Sequence, residues 1–265
     1  MSGGTVRFLG TGTSHGVPMI GCRCATCGSP DPHDRRSRPS IYIELAGGTR
    51  VLVDTTPDLR MQALAFGIER VDAILFTHCH ADHVMGLDDV RRFNSIQNAA
   101  IPCYGDARTV REIRRTFAYM FESTEAGGGL PRIHLYPLGG PFSIGGQEFV
   151  PVPIMHGRRT VLGFRLGGFA YLTDCSGIPD SSWGLLRGLD TLVVDALRHR
   201  PHPSHFTVAE AVEVVKRLAP RQAWLTHICH DLPHAATNAM LPDGVQLAYD
   251  GLTVTIEDQG LGTRR

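Results

Sequence analysis

One run of metal-ligand side chains directly follows a short apolar segment and limits the possible folds more than any other part of the sequence: Thr77-His78-Cys79-His80-Ala81-Asp82-His83. The segment before it, Ala73–Thr77, has the length and the apolar character of a buried strand. In an extended chain the imidazoles of His78 and His80 point the same way, so both can reach one ion. A turn into a helix near Val84 would then aim the next two ligands at a second ion. The run predicts two adjacent divalent metals, because such ions accept mixed imidazole and carboxylate ligands.

Three more potential ligands occur later in the chain, each just after an apolar segment: His156 after Val150–Met155, Asp174 after Phe169–Thr173, and His227 after Ala223–Thr226. Open sheets place their functional groups at the carboxyl ends of strands. A single His or Asp in such a position is often a turn or surface residue. Their repetition beside the His-rich run favours the interpretation that all three complete the dinuclear site.

The apolar segments alternate with Gly- and Pro-bearing turns along the whole chain. The predicted strands are Val6–Leu9, Ser40–Leu45, Arg50–Asp54, Ala73–Thr77, Ile101–Tyr104, Gln147–Pro153, Gly163–Leu166, Phe169–Thr173, Thr191–Asp195, Ala223–Thr226 and Leu252–Ile256. The predicted helices are Asp58–Phe66, Met85–Phe93, Ala107–Met120 and Thr207–Leu218, the last with a capping box of Thr207 and Glu210. Glycine pairs at 47–48, 139–140 and 145–146 predict hairpins, and Glu122–Pro131 predicts a mobile loop. This mixture predicts α/β layers, with sheets covered by helices, and residues 1–265 as one domain.

A second group of ligand types lies near the N-terminus, in Cys22-x-Cys24-x-x-Cys27. The chain has seven cysteines, and no secretory signal is recognisable at Met1, so a disulfide framework is not expected. Three close thiols in polar surroundings favour one zinc ion in a loop at about 21–36. The candidate for the fourth ligand is His230, with His33 and Cys229 as the alternatives.

Composition narrows the expected partners and location. The formal net charge is zero, from 26 basic and 26 acidic residues, which provides no global field for nucleic acid or an anionic membrane. No apolar stretch approaches the ~20 residues that span a bilayer. We therefore expect a cytoplasmic protein with a small-molecule substrate and neither membrane nor nucleic acid as partner, and leave a homodimer open.

The ordered set of ligands resembles the metallo-β-lactamase superfamily, whose fold is an αββα sandwich with two mixed sheets covered by helices. The resemblance implies one metal on His78, His80 and His156, and a second on Asp82, His83 and His227. It implies that Asp174 bridges the two ions and that Asp54 orients a ligand from behind. It covers nearly the whole chain, to about Gly251.

Two further motifs narrow the resemblance to phosphodiesterases of this superfamily. The cysteine loop shortly after Gly10-Thr11-Gly12-Thr13-Ser14-x-Gly16-Val17-Pro18 is similar to that of the phosphoribosyl 1,2-cyclic phosphate phosphodiesterases of the carbon–phosphorus lyase pathway and their relatives. In those proteins a His at the position of His230 closes a structural zinc site. His205-Phe206-Thr207 resembles the His-x-Thr element of tRNase Z, which implies that His205 is catalytic. The alternative is that His205 only precedes the helix cap at Thr207.

These motifs together predict a phosphodiesterase that hydrolyses a small cyclic or nucleotide-like phosphodiester. A hydroxide between two divalent ions, Mn or Zn, would attack phosphorus, and His205 would protonate the leaving oxygen. His205 and Asp82 are the predicted catalytic residues, and Ser176, Gly177, Arg158 and Arg159 are candidates for anion binding. The alternatives are a tRNA 3′-processing endonuclease of the tRNase Z type and a non-hydrolytic relative of the pyrroloquinoline-quinone biosynthesis B type.

Overall fold

The computed structural model describes residues 4–122 and 129–256, which form two seven-stranded sheets. The strands in chain order are β1 (Gly4–Gly10), β2 (Ser40–Glu44), β3 (Arg50–Val53), β4 (Ala73–Leu75), β5 (Ile101–Gly105), β6 (Ile133–Pro137), β7 (Phe142–Ile144), β8 (Gln147–His156), β9 (Arg159–Leu166), β10 (Phe169–Leu172), β11 (Thr191–Asp195), β12 (Gln222–Thr226), β13 (Val245–Leu247) and β14 (Thr253–Ile256). Every segment predicted to be a strand is one, with bounds that differ by a few residues.

The first sheet has the order β14-β1-β2-β3-β4-β5-β6, and the second has the order β13-β12-β11-β10-β9-β8-β7. In the first sheet β3, β4, β5 and β6 run parallel. In the second sheet β10, β11, β12 and β13 run parallel, and β8 has the same direction because both β8 and β10 pair antiparallel with β9. The carboxyl ends within each parallel set therefore lie along one sheet edge.

Helices cover the outer faces of both sheets. They are α1 (Leu59–Phe66), α2 (Ala81–Val84), α3 (Val90–Gln97), α4 (Ala107–Thr116), α5 (Tyr119–Glu122), α6 (Asp180–Trp183), α7 (Val208–Leu218) and α8 (His234–Asn238). Phe8 and Val53 of the first sheet share one core cluster with Phe164 and Val193 of the second. Two more clusters fill the outer layers, one under α1, α3 and α4 and the other under α7. These four layers confirm the predicted αββα sandwich.

Three short strands were not predicted: β6, β7 and β13. Two of them, β6 and β7, are edge strands of different sheets, so the pair Gly139-Gly140 between them connects the sheets. The hairpin predicted there is wrong, because local turn chemistry does not specify which sheet the next strand joins. The hairpins predicted at the other two glycine pairs are confirmed by antiparallel pairing of β2 with β3 and of β7 with β8.

The helix predicted over Met85–Phe93 is also wrong in its bounds. The first turn begins earlier, at Ala81 in α2, and the chain breaks at Gly86 before α3. The helix predicted to Met120 ends at Thr116. The capping box of Thr207 and Glu210 is confirmed. Residues 123–128 of the predicted mobile loop lie outside the described residues. In the described part of the chain, no helix has the length and hydropathy needed to cross a membrane.

Candidate metal centre

Seven side chains from strand ends, loops and helix α2 converge at one edge of the sandwich. They form two groups, and within each group the ligand atoms lie within 4.8 Å of one another. The first group is His78, His80 and His156, and the second is Asp82, His83, Asp174 and His227. His78 follows β4, His156 ends β8, Asp174 follows β10 and His227 follows β12. All seven residues were predicted ligands, with Asp174 expected between the two groups, and the parallel strand directions explain why the strand-end residues meet.

Three residues at this edge have left-handed backbone conformations. The φ angles are +64° for Asp54, +54° for Asp174 and +59° for His227. Each such residue without glycine's freedom costs of order 1–3 kcal/mol and persists only where the surrounding structure enforces it. The sharp turns redirect the chain directly after β3, β10 and β12, and they lie beside the converging side chains.

In the first group the imidazoles are fixed through their outer nitrogens. His156 Nδ1 lies 2.8 Å from the carbonyl oxygen of Ser204, and His78 Nδ1 lies 3.0 Å from Thr77 Oγ1. Their inner Nε2 atoms lie 3.9 Å and 4.0 Å from Asp174 Oδ1, respectively. Asp174 is therefore close to both groups, as the prediction of a shared carboxylate requires.

In the second group His83 is the most enclosed side chain. Its Nε2 lies 3.1 Å from Asp174 Oδ2 and 3.4 Å from Asp82 Oδ2. The Nε2 of His227 lies 3.3 Å from Asp174 Oδ1. Asp82 and His83 belong to α2, so one helical turn carries both ligands, as expected, although it begins earlier than Val84.

Asp54 supports His83 from behind. Its Oδ2 lies 2.7 Å from His83 Nδ1, and it accepts hydrogen bonds from Thr77 N and Oγ1 at 2.9 and 2.8 Å. With Nδ1–H donating to Asp54, the Nε2 lone pair of His83 is directed toward the other ligands. This is the position that was predicted for Asp54.

Close backbone packing also positions α2. Gly86 N donates to the carbonyl of Thr55 at 2.9 Å, and Thr55 N donates to the carbonyl of His83 at 2.8 Å. A Cβ at Gly86 would lie 1.9 Å from the carbonyl oxygen of Thr56. Glycine at this position therefore allows α2 to approach the turn after β3.

The donor set fits divalent metal ions. Among the described residues, the Nε2 atoms of His78, His83 and His227 are buried without hydrogen-bond partners. A buried polar atom without a partner costs about 1–3 kcal/mol, and three of them facing two carboxylates are unfavourable unless they have a ligand. Imidazole nitrogens and carboxylates at this spacing are ligands for Zn²⁺ or Mn²⁺.

The two ligand groups differ in their charge states. Burial lowers the pKa of His78 and of His156, so both rings are held in the neutral form that binds metal. Burial also opposes charge on His83, but Asp174, Asp82 and Asp54 outweigh it and raise the pKa of His83 well above its ordinary value. These carboxylates stabilise a positive charge at this position, and a divalent ion would supply that charge in place of the ring proton. Burial disfavours ionised Asp174, yet His227 and His83 hold the pKa of its carboxyl well below the usual range.

His205 reaches the same centre from the loop that precedes α7. It precedes the helix cap at Thr207, as the alternative interpretation required, yet its ring also lies 4.5 Å from that of His227 and 4.8 Å from that of His156. Its Nδ1 lies 2.7 Å from Asp195 Oδ2. This contact fixes the ring and leaves Nε2 as its free nitrogen.

Asp195 is the residue that sequence reasoning missed. It ends β11 and is fully buried, and Cys175 N donates to its Oδ2 at 3.2 Å. Like Asp174 it is an acid at the carboxyl end of an apolar strand, and that signal could have identified it. It was interpreted only as the last residue of a predicted strand.

The cysteine loop lies next to the centre. His230 Nδ1 is 3.3 Å from both Cys22 Sγ and Cys24 Sγ, and Cys27 Sγ completes a group of four within 4.8 Å. A hydrogen bond from Cys27 N lowers the pKa of the Cys24 thiol to about 6. Neither alternative fourth ligand belongs to this group.

The ring of His33 instead packs against that of Tyr249 in a tilted arrangement, with centroids 4.2 Å apart. Cys229 Sγ accepts a hydrogen bond from Asp231 N at 3.3 Å. Both residues are thus engaged elsewhere. The four ligand types of Cys22, Cys24, Cys27 and His230 match a closed Cys₃His zinc site.

The residues predicted to bind an anion lie around the end of β8, where Gly177 pairs with Met155. Arg158 lies in the turn between β8 and β9 and Arg159 begins β9; both are exposed, and Arg159 Nη1 lies 3.3 Å from His80 Nε2. Ser176 Oγ accepts a hydrogen bond from Gly157 N and donates one to the carbonyl of Met155. The hydroxyl of Ser176 is therefore occupied within the protein.

Comparison with known proteins assigns the family. Residues 49–228 match the family described as a beta-lactamase superfamily domain. The chain belongs to the metallo-β-lactamase superfamily. A crystal structure of a new diphosphatase from the PhnP family is 46% identical, with a TM-score of 0.90 over 96% of this chain and 98% of that chain.

Two relatives extend the comparison. A protein of Porphyromonas gingivalis named octanoyltransferase is 37% identical over 258 residues, which are 96% of this chain and 52% of that protein. The chain thus spans about half the length of that relative. Coenzyme PQQ synthesis protein B of Methylobacterium nodulans is 28% identical over 214 residues, which are 71% of each chain. The family membership and the diphosphatase neighbour support the predicted metal-dependent hydrolase.

Proposed function

We propose that this protein is a metal-dependent phosphodiesterase that hydrolyses a P–O bond in a small phosphodiester. The observation that carries the proposal is the pair of ligand groups around Asp174, with His205 against both. We assign one ion to His78, His80 and His156, and a second ion to Asp82, His83 and His227. The similarity to a diphosphatase supports a small phosphorus-containing substrate.

Two divalent ions held by these residues would supply Lewis-acid charge and a nucleophile at neutral pH. The protein's contribution is to hold the ligand atoms before the ions arrive. Asp54 and Thr77 fix His83, and the carbonyl of Ser204 fixes His156. Because most of the ligand residues are buried, little water competes with the substrate for the centre.

His205 is assigned the proton transfer to the leaving oxygen. Its Nδ1 faces Asp195, so Nε2 can hold the proton that the departing oxygen takes. Asp195 acts through His205 and is a positioning residue. Since an atom of His205 also lies within 4.8 Å of His156 and Asp174, its assignment as a proton donor must be separated from metal ligation.

The variant His205→Ala separates the two roles. We expect turnover of a 1,2-cyclic ribose phosphate, whose leaving sugar oxygen needs a proton, to fall about 100- to 10,000-fold, the range for loss of a general acid, while metal content is unchanged. Turnover of bis(4-nitrophenyl) phosphate should fall much less, because 4-nitrophenolate leaves without a proton. His199→Ala is the matched control, because His199 lies in the same loop and is exposed. If the His205 variant also loses a metal ion, His205 is a metal ligand and not the proton donor.

The function itself is tested with metal-free protein reloaded with Mn²⁺ or Zn²⁺. The substrates are bis(4-nitrophenyl) phosphate, a 1,2-cyclic ribose phosphate and a precursor tRNA. Metal-dependent cleavage of the small diesters supports the proposal. Cleavage confined to precursor tRNA supports the tRNase Z type, and no cleavage of any diester by the loaded protein contradicts a phosphodiesterase.

A further inference from the structure

A cavity of about 220 Å³ opens beside the proposed metal centre. One wall is the N-terminal loop at Ser14 and His15, and the other is the loop after β11 at Arg198 and Arg200. His205 lines the same cavity. Its volume is below the roughly 300–1,000 Å³ of pockets that enclose drug-sized ligands, so it suits one small polar group.

The lining of this cavity is basic. Asp231 is the only acidic residue among those that line it, and its Oδ2 lies 2.8 Å from Arg200 Nη2. Its charge is thus already compensated. Arg198 has no carboxylate within ion-pair distance among residues 4–122 and 129–256. The cavity therefore carries a surplus cation.

Arg198 is also held in a fixed orientation. Its Nε donates to the carbonyl of Arg200 at 3.2 Å and its Nη2 donates to the carbonyl of Pro201 at 3.1 Å. The side chain is half-buried. A guanidinium that is partly removed from water, orientated by two carbonyls and unpaired with an acid is suited to bind an anion.

The position of His205 identifies which part of a substrate would enter the cavity. His205 is assigned to the leaving oxygen, so the leaving group lies on its side of the centre. We propose that the cavity binds a phosphate within the leaving group, that Arg198 is the main group that binds it, and that the substrate class is a diphosphate diester. This inference rests on the proposed function.

The reaction balances without a further reactant. Water adds its oxygen to one phosphorus of R–O–PO₂⁻–O–PO₂⁻–O–R′, and the bond from that phosphorus to the bridging oxygen breaks. The bridging oxygen leaves with the second phosphate and takes a proton from His205, which water replaces. The products are the monoesters R–O–phosphate and R′–O–phosphate, the second of which is the anion beside Arg198.

The test compares two substrates in the metal-loaded enzyme. P¹,P²-di(adenosine-5′) diphosphate is symmetric, so either direction of binding places a phosphate in the leaving group. Bis(4-nitrophenyl) phosphate has no second phosphate. We expect Arg198→Ala to lower the ratio of the two kcat/KM values, diphosphate over single diester, by about 10- to 100-fold, the range for a charged hydrogen bond. Most of the change should be in KM for the diphosphate.

Two further variants guard against a structural effect. Arg198→Gln keeps a donor for the loop carbonyls without the charge, and we expect it to lower the ratio as Arg198→Ala does. Arg187→Ala removes an exposed arginine outside the cavity and should leave the ratio and the activity unchanged. A ratio unchanged in both Arg198 variants, or an equal loss with both substrates, would overturn the proposal.

The two proposals fail in different ways. If the wild-type enzyme cleaves bis(4-nitrophenyl) phosphate but not the diphosphate, the leaving-group phosphate is wrong and the phosphodiesterase function stands. If the loaded enzyme cleaves none of the diesters, both are wrong.

Discussion

The metal centre and the cysteine loop differ in how their ligand atoms are held. At the centre, outer contacts from Asp54, Thr77 and Ser204 fix the imidazoles, and most of the ligands are buried. In the loop, Cys22, Cys24 and His230 are only half-buried, and His230 contacts the thiols themselves. The fold therefore orients the centre in advance, whereas a bound zinc would itself organise the loop.

The comparison first predicts that the two sites lose metal independently. Asp174→Ala removes the carboxylate that lies close to both ligand groups. We expect activity to fall by roughly 10³-fold or more, because the transition state loses several kcal/mol of stabilisation by the metal ions. Elemental analysis should show loss of the ions of the centre and retention of one zinc. Retention of all ions would mean that Asp174 does not hold the pair.

The converse substitution is Cys22→Ser/Cys24→Ser. Because the thiols of Cys22 and Cys24 contact a distant part of the chain through His230, we expect the loss of one zinc per chain and a Tm lower by several degrees, with the ions of the centre retained. Cys103→Ser is the control for removing a thiol, since Cys103 is buried in a strand away from the loop. An unchanged zinc count in the double variant would eliminate the structural zinc.

Asp250 also attaches the N-terminal loop to the rest of the fold. Its two oxygens accept hydrogen bonds from the backbone and hydroxyl groups of Thr11 and Ser37, at 2.7 to 2.9 Å. Burial raises the pKa of Asp250 from 3.8 to about 6. The folded state thus binds a proton more tightly than the unfolded state, and this stabilisation is present below pH ~4 and lost as pH rises through ~6.

The difference between these two pKa values corresponds to about 3 kcal/mol of stability. We therefore expect the unfolding free energy of the wild type, minus that of Asp250→Asn, to decrease by up to about 3 kcal/mol between pH ~4 and pH ~7. Urea denaturation of both proteins at several pH values measures this difference, and the other titrating groups cancel. A difference that is constant with pH would mean that Asp250 has the same pKa in the folded and unfolded states.

The ligands were predictable because each one interrupts a local pattern. His156, Asp174 and His227 end apolar runs, and period and polarity are properties of the sequence itself. Asp195 ends such a run too, but its role depends on contact with His205, which belongs to a separate loop. The proximity of Arg198 to the centre likewise follows from tertiary packing.

The errors in the predicted fold have the same origin. Nothing near Gly139-Gly140 specifies that β6 and β7 join different sheets. The break between α2 and α3 lies at Gly86, whose backbone packs closely against Thr56, and this tertiary contact is not visible in the local sequence. Element type was therefore readable from local sequence, whereas element boundaries and sheet partners depended on packing.

The smallest predicted effect tests whether outer contacts orient the centre. Asp54→Asn retains the size of the side chain, but its amide cannot accept from both Thr77 N and His83 Nδ1 in the present arrangement. We expect metal affinity at the centre or activity to fall about 10- to 100-fold, the usual effect of removing an outer carboxylate. Isothermal titration of metal-free protein with Mn²⁺ measures it, and zinc in the cysteine loop should not change. Unaltered affinity and activity would show that His83 keeps its orientation without Asp54, and the contrast between the two sites would then rest on burial alone.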